Sequence, residues 1–109
     1  LASATQDAAS ATRLLELAGD DGQRIAGLGR AAPSALAIHQ ALQHKPIATA
    51  ASLAAATGLT PATVNKALAH LERTGVVAEL TRKIRGRVFS YTRYAGILNE
   101  GMTLPDRGR

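Results

Sequence analysis

The chain has 109 residues, of which only 3% are aromatic, and a net charge of +5 at pH 7. A chain of this length forms one domain around a single small core, and the scarcity of aromatic residues means that this core is mainly aliphatic. Cysteine is absent, which excludes disulfide bonds and thiolate metal sites and fits a reducing compartment. We therefore expect a cytoplasmic protein.

No apolar run approaches the ~20 residues that a membrane-spanning helix needs. The N-terminus lacks the positive segment and apolar core of a secretory signal. Because the first residue is Leu1 and not Met, we expect the chain to be a fragment of a longer protein.

The positive charge is concentrated in one part of the chain. Residues 61–94 carry seven Lys or Arg and two Asp or Glu, whereas residues 1–60 carry four of each kind. Localised basic charge is typical of proteins that bind a polyanion. The alternative is that these basic residues only keep a surface turn soluble.

Residues 3 to about 30 are predicted to form a long helix, which we interpret as an arm or linker spanning residues 1–30. Small and apolar residues recur along it in a heptad-like pattern. This seam consists of Ala4, Ala8, Ala11, Leu15, Ala18, Gly22, Ile25 and Gly29. Glycine costs about 1 kcal/mol inside a helix, so Gly19 and Gly22 predict a kink or break. Such a helix needs a partner, which is the body, another domain or a second copy.

Pro33 interrupts this pattern and marks the start of a body that we assign to residues 31–101. Ser34 is a favourable N-cap for a helix that continues to about residue 44. Pro46 follows the end of this helix, as is common after helices. Residues 46–48 are predicted to form a short first strand.

The next two predicted helices form a helix-turn-helix. Thr49 is the N-cap of a helix over residues 50–57, which Gly58 ends. Thr60 is the N-cap of the following helix, and Pro61 suits its first position because the missing N–H has no partner there in any case.

The helix over residues 61–74 has one apolar side and one polar side. Val64, Leu68 and Leu71 recur at helical spacing and form the buried stripe, and Gly75 ends the helix. The residues that face away from this stripe or flank it are Ala62, Thr63, Asn65, Lys66, Ala69, His70 and Arg73.

Two β-prone runs, residues 76–80 and 88–91, flank a basic stretch and predict a hairpin. A last short helix is predicted from residue 93 to residue 100, with Gly101 ending it. The predicted fold is therefore mainly α with a small β-hairpin: a winged helix-turn-helix preceded by a long N-terminal helical arm. Residues 102–109 are predicted to be a flexible tail.

Residues 27–101 resemble the C-terminal winged-helix region of Fic-family proteins. The segments that carry the resemblance are Gly29-Arg30, Thr57-Gly58-Leu59-Thr60-Pro61-Ala62-Thr63-Val64-Asn65-Lys66-Ala67-Leu68, Gly75-Val76-Val77-Ala78-Glu79-Leu80-Thr81, Arg85-Gly86-Arg87-Val88-Phe89, Tyr91, Arg93-Tyr94 and Ile97-Leu98-Asn99-Glu100-Gly101. The helix-turn-helix part is shared by many bacterial regulators, whereas the wing and the closing segment are more specific. The resemblance implies a parent protein whose catalytic domain transfers AMP to protein hydroxyls.

The catalytic motif of that family, His-Pro-Phe followed by a glycine-rich anion loop, is absent from this chain. His39, His44 and His70 are each followed by other residues. The histidines are dispersed along helices, and no group of carboxylates accompanies them. We therefore expect no enzyme activity, no metal and no cofactor in this chain.

The first functional hypothesis is DNA binding by the helix over residues 61–74 and the basic hairpin. The candidate contact residues are Thr60, Thr63, Asn65, Lys66, His70, Arg73, Arg82, Lys83, Arg85 and Arg87. Asn65 could pair with adenine, but two outward positions are alanine and the first two turns lack arginine. We therefore expect phosphate-driven binding with weak sequence specificity.

The second hypothesis is a protein-interaction or dimerisation scaffold that positions a catalytic domain. The small-residue seam of the arm favours it, and so does the weak base-reading face. Fold alone does not decide, because winged helices serve both uses.

Overall fold

The computed structural model describes the backbone of residues 2–81 and 86–102, and the side chains of residues 9–81 and 86–99. The elements are α1 (Ala2–Ala26), a 3-10 turn (Gly29–Ala31), α2 (Ala32–His44), β1 (Ile47–Thr49), α3 (Ala50–Thr57), α4 (Pro61–Arg73), β2 (Ala78–Glu79), β3 (Val88–Ser90) and α5 (Thr92–Met102). The predicted fold class is confirmed. The protein is mainly helical with a small antiparallel sheet, and a winged helix-turn-helix follows a long N-terminal helix.

The helix-turn-helix formed by α3 and α4 is set by local capping. Thr49 and Ser52 form a capping box at the start of α3, each side chain accepting from the other residue's backbone N–H. Gly58 ends α3 with φ of 76°, a left-handed conformation that favours glycine. Thr60 then caps α4 by accepting from the Thr63 N–H at 3.2 Å. These predicted boundaries are confirmed.

The three strands form one antiparallel sheet in the order β1-β3-β2. Ala48 of β1 and Glu79 of β2 both lie opposite Phe89 of β3. Strand β2 is shorter than the predicted run because the N–H groups of Val76 and Val77 donate to the Leu71 carbonyl. Those amides close the C-terminal end of α4 and so cannot extend the sheet.

Helix α1 packs against α2 and α5. Ile25 is fully buried in the core, and Leu17 and Leu28 pack against it. The seam that we predicted is therefore divided: Ile25 belongs to the body and is closed to any partner, while Ala11 is exposed and the Leu15 side chain is 76% exposed. Among the described seam residues of α1, the body therefore covers Ile25, partly covers Ala18 and Gly22, and leaves Ala11 and Leu15 open.

Three predicted boundaries were wrong. Helix α1 is not broken at Gly19 or Gly22 and ends at Ala26, since an alanine-rich helix supported by the body tolerates the two glycines. Ser34 is not an N-cap, because α2 begins at Ala32 with Pro33 in its first turn. Helix α5 continues through Gly101 to Met102, where one glycine in the last turn costs little.

The division into an arm of residues 1–30, a body of residues 31–101 and a tail of residues 102–109 stays a prediction. All of the tail except Met102 lies outside the described residues. Within the part of the chain that the structure describes, no helix is both long enough and apolar enough to cross a membrane.

A buried polar cluster joins α1 to the rest of the protein. The Tyr91 hydroxyl donates to Asp21 Oδ2 at 2.7 Å, so it accepts from His39 Nε2–H at 3.0 Å. His39 Nδ1 in turn accepts from the Gln43 amide at 3.3 Å. Arg24 and Arg93 form ion pairs with Asp21 Oδ1 at 2.7 and 3.3 Å. Burial and the neighbouring Asp21 raise the pKa of Tyr91, so the hydroxyl keeps its proton.

Candidate nucleic-acid interface

Helix α4 has one buried side and one open side. Val64, Ala67, Leu68 and Leu71 are buried in the core. The polar residues predicted to face away from this stripe are accessible: Asn65, Lys66 and Arg73 are exposed, and Thr63 and His70 are half-buried. The side of α4 that would face DNA is therefore not covered by the body.

At the N-terminal end of α4, Thr60 and Thr63 have different roles. The Thr60 hydroxyl accepts from the Thr63 N–H and donates to Thr63 Oγ1 at 2.9 Å. Thr60 is therefore committed to capping, whereas the proton of the Thr63 hydroxyl is not used in that bond. Thr63, Asn65 and Lys66 all lie in the first two turns of α4 and are at least partly accessible, and this is the part of the helix with which winged helices reach base edges.

At the C-terminal end of α4, Arg73 Nη2 donates to His70 Nδ1 at 2.7 Å. This bond requires that His70 Nδ1 carries no proton, so His70 serves as the acceptor that orients the guanidinium. The positive charge at this end of the face is that of Arg73.

The base of the hairpin contains Arg87, which contacts Glu79 and Phe89. Its Nη2 donates to Glu79 Oε1 at 2.8 Å, and its Cζ lies 5.0 Å from the centre of the Phe89 ring. The hydrogen bond to Glu79 and the charges of Glu79 and Glu72 raise the pKa of Arg87. The same carboxylates offset much of its positive charge locally.

The remaining hairpin residues of the hypothesis, Arg82, Lys83 and Arg85, lie outside the described residues. Their contribution to the surface stays a prediction. Arg93, which the sequence analysis counted with the basic region, is paired with Asp21 in the body.

Two contacts of α1 escaped the sequence analysis. The sequence analysis gave Asp21 no role, yet its side chain is 1% exposed. The signal was its position, four residues from both Leu17 and Ile25 on the buried side of the helix. Nothing in the sequence indicated that Arg24 would reach the Thr74 carbonyl.

A concavity of about 770 Å³ lies between α2 and α3. Its lining combines alanines with polar side chains, among them Gln40, His44, Lys45, Ser52 and Thr57. Among the described residues, no group of three or more His, Asp or Glu side chains is arranged to hold a metal ion.

Residues 33–78 match a family model described as winged helix-turn-helix DNA-binding. The matched segment begins in the first turn of α2 and ends at the first residue of β2, so it contains α3 and α4 but neither α1 nor β3. Searches of curated proteins and of solved structures gave no significant match. The family match supports a DNA-binding, regulator-like role and says nothing about the Fic resemblance.

Proposed function

We propose that this chain binds double-stranded DNA through the open side of α4 and the basic hairpin, with weak sequence specificity. The observation that carries the proposal is the uncovered polar side of α4, presented by a helix-turn-helix that matches a DNA-binding family. A regulator-type DNA-binding module is non-enzymatic, and it fits a cytoplasmic location.

The proposed contacts fall into two groups. Thr63, Asn65 and Lys66 lie in the first turns of α4 and would face base edges and the nearest phosphates. Those proposed to meet phosphate only are His70, Arg73, Arg82, Lys83, Arg85 and Arg87. Thr60 supports this face by capping the helix. If about four to five cations meet phosphates, the logarithm of the binding constant falls against the logarithm of salt concentration with a slope near −4.

The test compares Lys66→Ala and Asn65→Ala by fluorescence anisotropy on a set of 20-bp duplexes. We expect Lys66→Ala to weaken binding to every duplex and to make the salt slope shallower by about 0.9, because one phosphate contact is lost. We expect Asn65→Ala to change the preference among duplexes and to leave the slope unchanged.

Arg30→Ala is the matched control, because it removes one exposed cation from the 3-10 turn before α2. It should behave like the wild-type protein. The proposal is wrong if the wild-type protein binds no duplex at low salt, or if its affinity does not depend on salt.

The alternative function is a protein-interaction or dimerisation scaffold that uses the seam of α1. The observation that favours it is the outward position of Ala11 and Leu15, with Ala18 half-buried beside them. Sedimentation of the wild-type protein and of Leu15→Asp tests it: concentration-dependent association that this change abolishes supports the scaffold. Arg85→Glu combined with Arg87→Glu should leave such association intact while removing retention on heparin.

The Fic resemblance gives a more specific proposal, in which this module is the C-terminal part of a Fic-type AMP-transferring protein. The coding sequence upstream of Leu1 tests it. A His-Pro-Phe motif with a glycine-rich anion loop would support this parentage, and an upstream region of another kind would contradict it.

A further inference from the structure

Arg24 of α1 bridges two parts of the protein that are distant in sequence. Its Nη1 donates to the carbonyl of Thr74, the residue that ends α4, at 3.2 Å. Its Nη2 donates to Asp21 Oδ1 at 2.7 Å. One guanidinium therefore connects a buried carboxylate of α1 to the C-terminal end of the proposed recognition helix.

Asp21 is a rigid anchor for this guanidinium. Its side chain is 1% exposed, and it also accepts from the Tyr91 hydroxyl at 2.7 Å and from Arg93 at 3.3 Å. Tyr91 directly follows β3, and Arg93 lies in α5. Through Asp21, the position of Arg24 is therefore fixed relative to the sheet and to α5 as well as to α1.

The C-terminal end of α4 is a favourable place for a cation, because the last carbonyls of a helix carry partial negative charge. It is also the end opposite Thr63, Asn65 and Lys66. A helix of 13 residues is about 20 Å long at 1.5 Å per residue, so a tilt of about 10° moves its far end by roughly 3 Å. Such a displacement exceeds the tolerance of a hydrogen bond to a base edge.

We propose that Asp21 and Arg24 form a latch that fixes the orientation of α4 and so sets the DNA affinity of the protein. The inference rests on the proposed DNA-binding function. Arg24 is a positioning residue in it and makes no contact with DNA. The latch lies in α1, outside the segment that matches the winged helix-turn-helix family, and anything that displaces α1 would also act on α4.

The test uses Arg24→Ala in the full chain, with Arg30→Ala as a control that removes the same charge. The Arg24 side chain is 48% exposed, so the variant should fold. We expect Arg24→Ala to bind a 20-bp duplex about fivefold more weakly than the control. The salt slope should equal that of the wild-type protein, since no phosphate contact is lost.

Two further measurements separate a latch from a general loss of stability. Amide hydrogen exchange at Thr74 and Gly75, which donate to the His70 and Glu72 carbonyls, should be faster in Arg24→Ala than in Arg30→Ala. Arg24→Lys should recover part of the affinity, because an ammonium group keeps the charge but cannot bridge both acceptors in the same planar geometry.

The outcomes are distinct. A wild-type protein that binds no duplex overturns the proposed function. Wild-type binding with equal affinity in Arg24→Ala and Arg30→Ala overturns the latch alone. A slope that becomes shallower by about 0.9 in Arg24→Ala also overturns it, because that result identifies Arg24 as a direct phosphate contact. Unchanged exchange at Thr74 and Gly75 contradicts the latch independently of DNA.

Discussion

The Asp21 carboxylate occupies a position where a helix that packs on a core normally carries an aliphatic side chain. A buried charge is costly unless it is paired and hydrogen-bonded. Here Tyr91, Arg24 and Arg93 supply those partners, and His39 extends the cluster into α2. The cluster makes the docking of α1 specific, because only one placement of the helix satisfies the carboxylate.

His39 makes the stability of the protein depend on pH. Burial lowers the pKa of His39 from its ordinary value of 6.5, against the opposing effect of the Asp21 charge. As the pH falls through 6.5, the unfolded chain takes up a proton that the folded protein does not. This contribution to stability is complete above about pH 7.5 and is lost as the pH falls toward the lower pKa of the folded state. We expect the Tm to decrease over that range.

The matched variants are His39→Gln and His44→Gln. The glutamine at position 39 does not titrate and should flatten the pH dependence of Tm above about pH 5, where carboxylates remain ionised. His44 is exposed, so its replacement should leave the dependence as it is in the wild-type protein. Equal pH profiles for the wild-type protein and His39→Gln would show that His39 is not the group responsible.

At the scale of the elements, local capping signals determine the ends of some helices, whereas packing determines the course of others. Helices α3 and α4 begin and end at capping threonines and left-handed glycines, which act within a few residues. The course of helix α1 depends on its packing against α2 and α5. It continues through Gly19 and Gly22, although glycine is a poor helix former.

Replacing these two glycines with alanine should stabilise the protein. A Cβ at Gly19 would meet no atom within 4 Å, and one at Gly22 would lie 3.8 Å from His39 Cε1, an ordinary contact. We expect Gly19→Ala and Gly22→Ala to raise the free energy of unfolding by up to about 1 kcal/mol each, because alanine favours the helix. Urea denaturation measures the change.

Gly58→Ala is the opposing control. A Cβ at Gly58 also meets nothing within 4 Å, but its φ is +76°, so alanine there should destabilise the protein by about 1 kcal/mol. If Gly19→Ala and Gly58→Ala were equally destabilising, the expectation that alanine is tolerated at position 19 would be wrong.

At the scale of the whole molecule, the total of thirteen Lys and Arg residues overstates the number of cations that are available to a polyanion. Arg87 is paired with Glu79, and Arg93 with Asp21. The positive charge that this surface offers to DNA therefore depends on how strongly Glu79 and Asp21 pair with these arginines. Screening by salt acts more on the exposed cations of α4 than on Asp21, whose side chain is 1% exposed.

Replacing Glu79 should strengthen DNA binding. Glu79→Gln removes one negative charge beside Arg87 and keeps an oxygen that can accept a hydrogen bond. We expect tighter binding and a salt slope steeper by up to about 0.9, because Glu79 no longer competes with phosphate for the proposed contact at Arg87. Glu16→Gln makes the same change in net charge at an exposed position of α1. Equal effects of the two variants would mean that net charge alone is responsible and that Arg87 makes no contact.

The sequence by itself determined the helix-turn-helix, the short sheet and the polar side of α4. Capping residues such as Thr49, Gly58 and Thr60 and the apolar spacing of α4 act over one or two turns, so a single sequence contains them. The candidate contacts Asn65 and Lys66 followed from the same pattern, and the structure leaves them accessible.

Only the tertiary structure decided which side of α1 is buried and which charges are offset. Asp21 meets Tyr91, and Arg24 meets Thr74, across 70 and 50 residues of chain. Arg87 finds Glu79 through the pairing of the strands around β3. Such contacts depend on the relative placement of whole elements, which no local pattern of residue types specifies, and they determine how α4 is held.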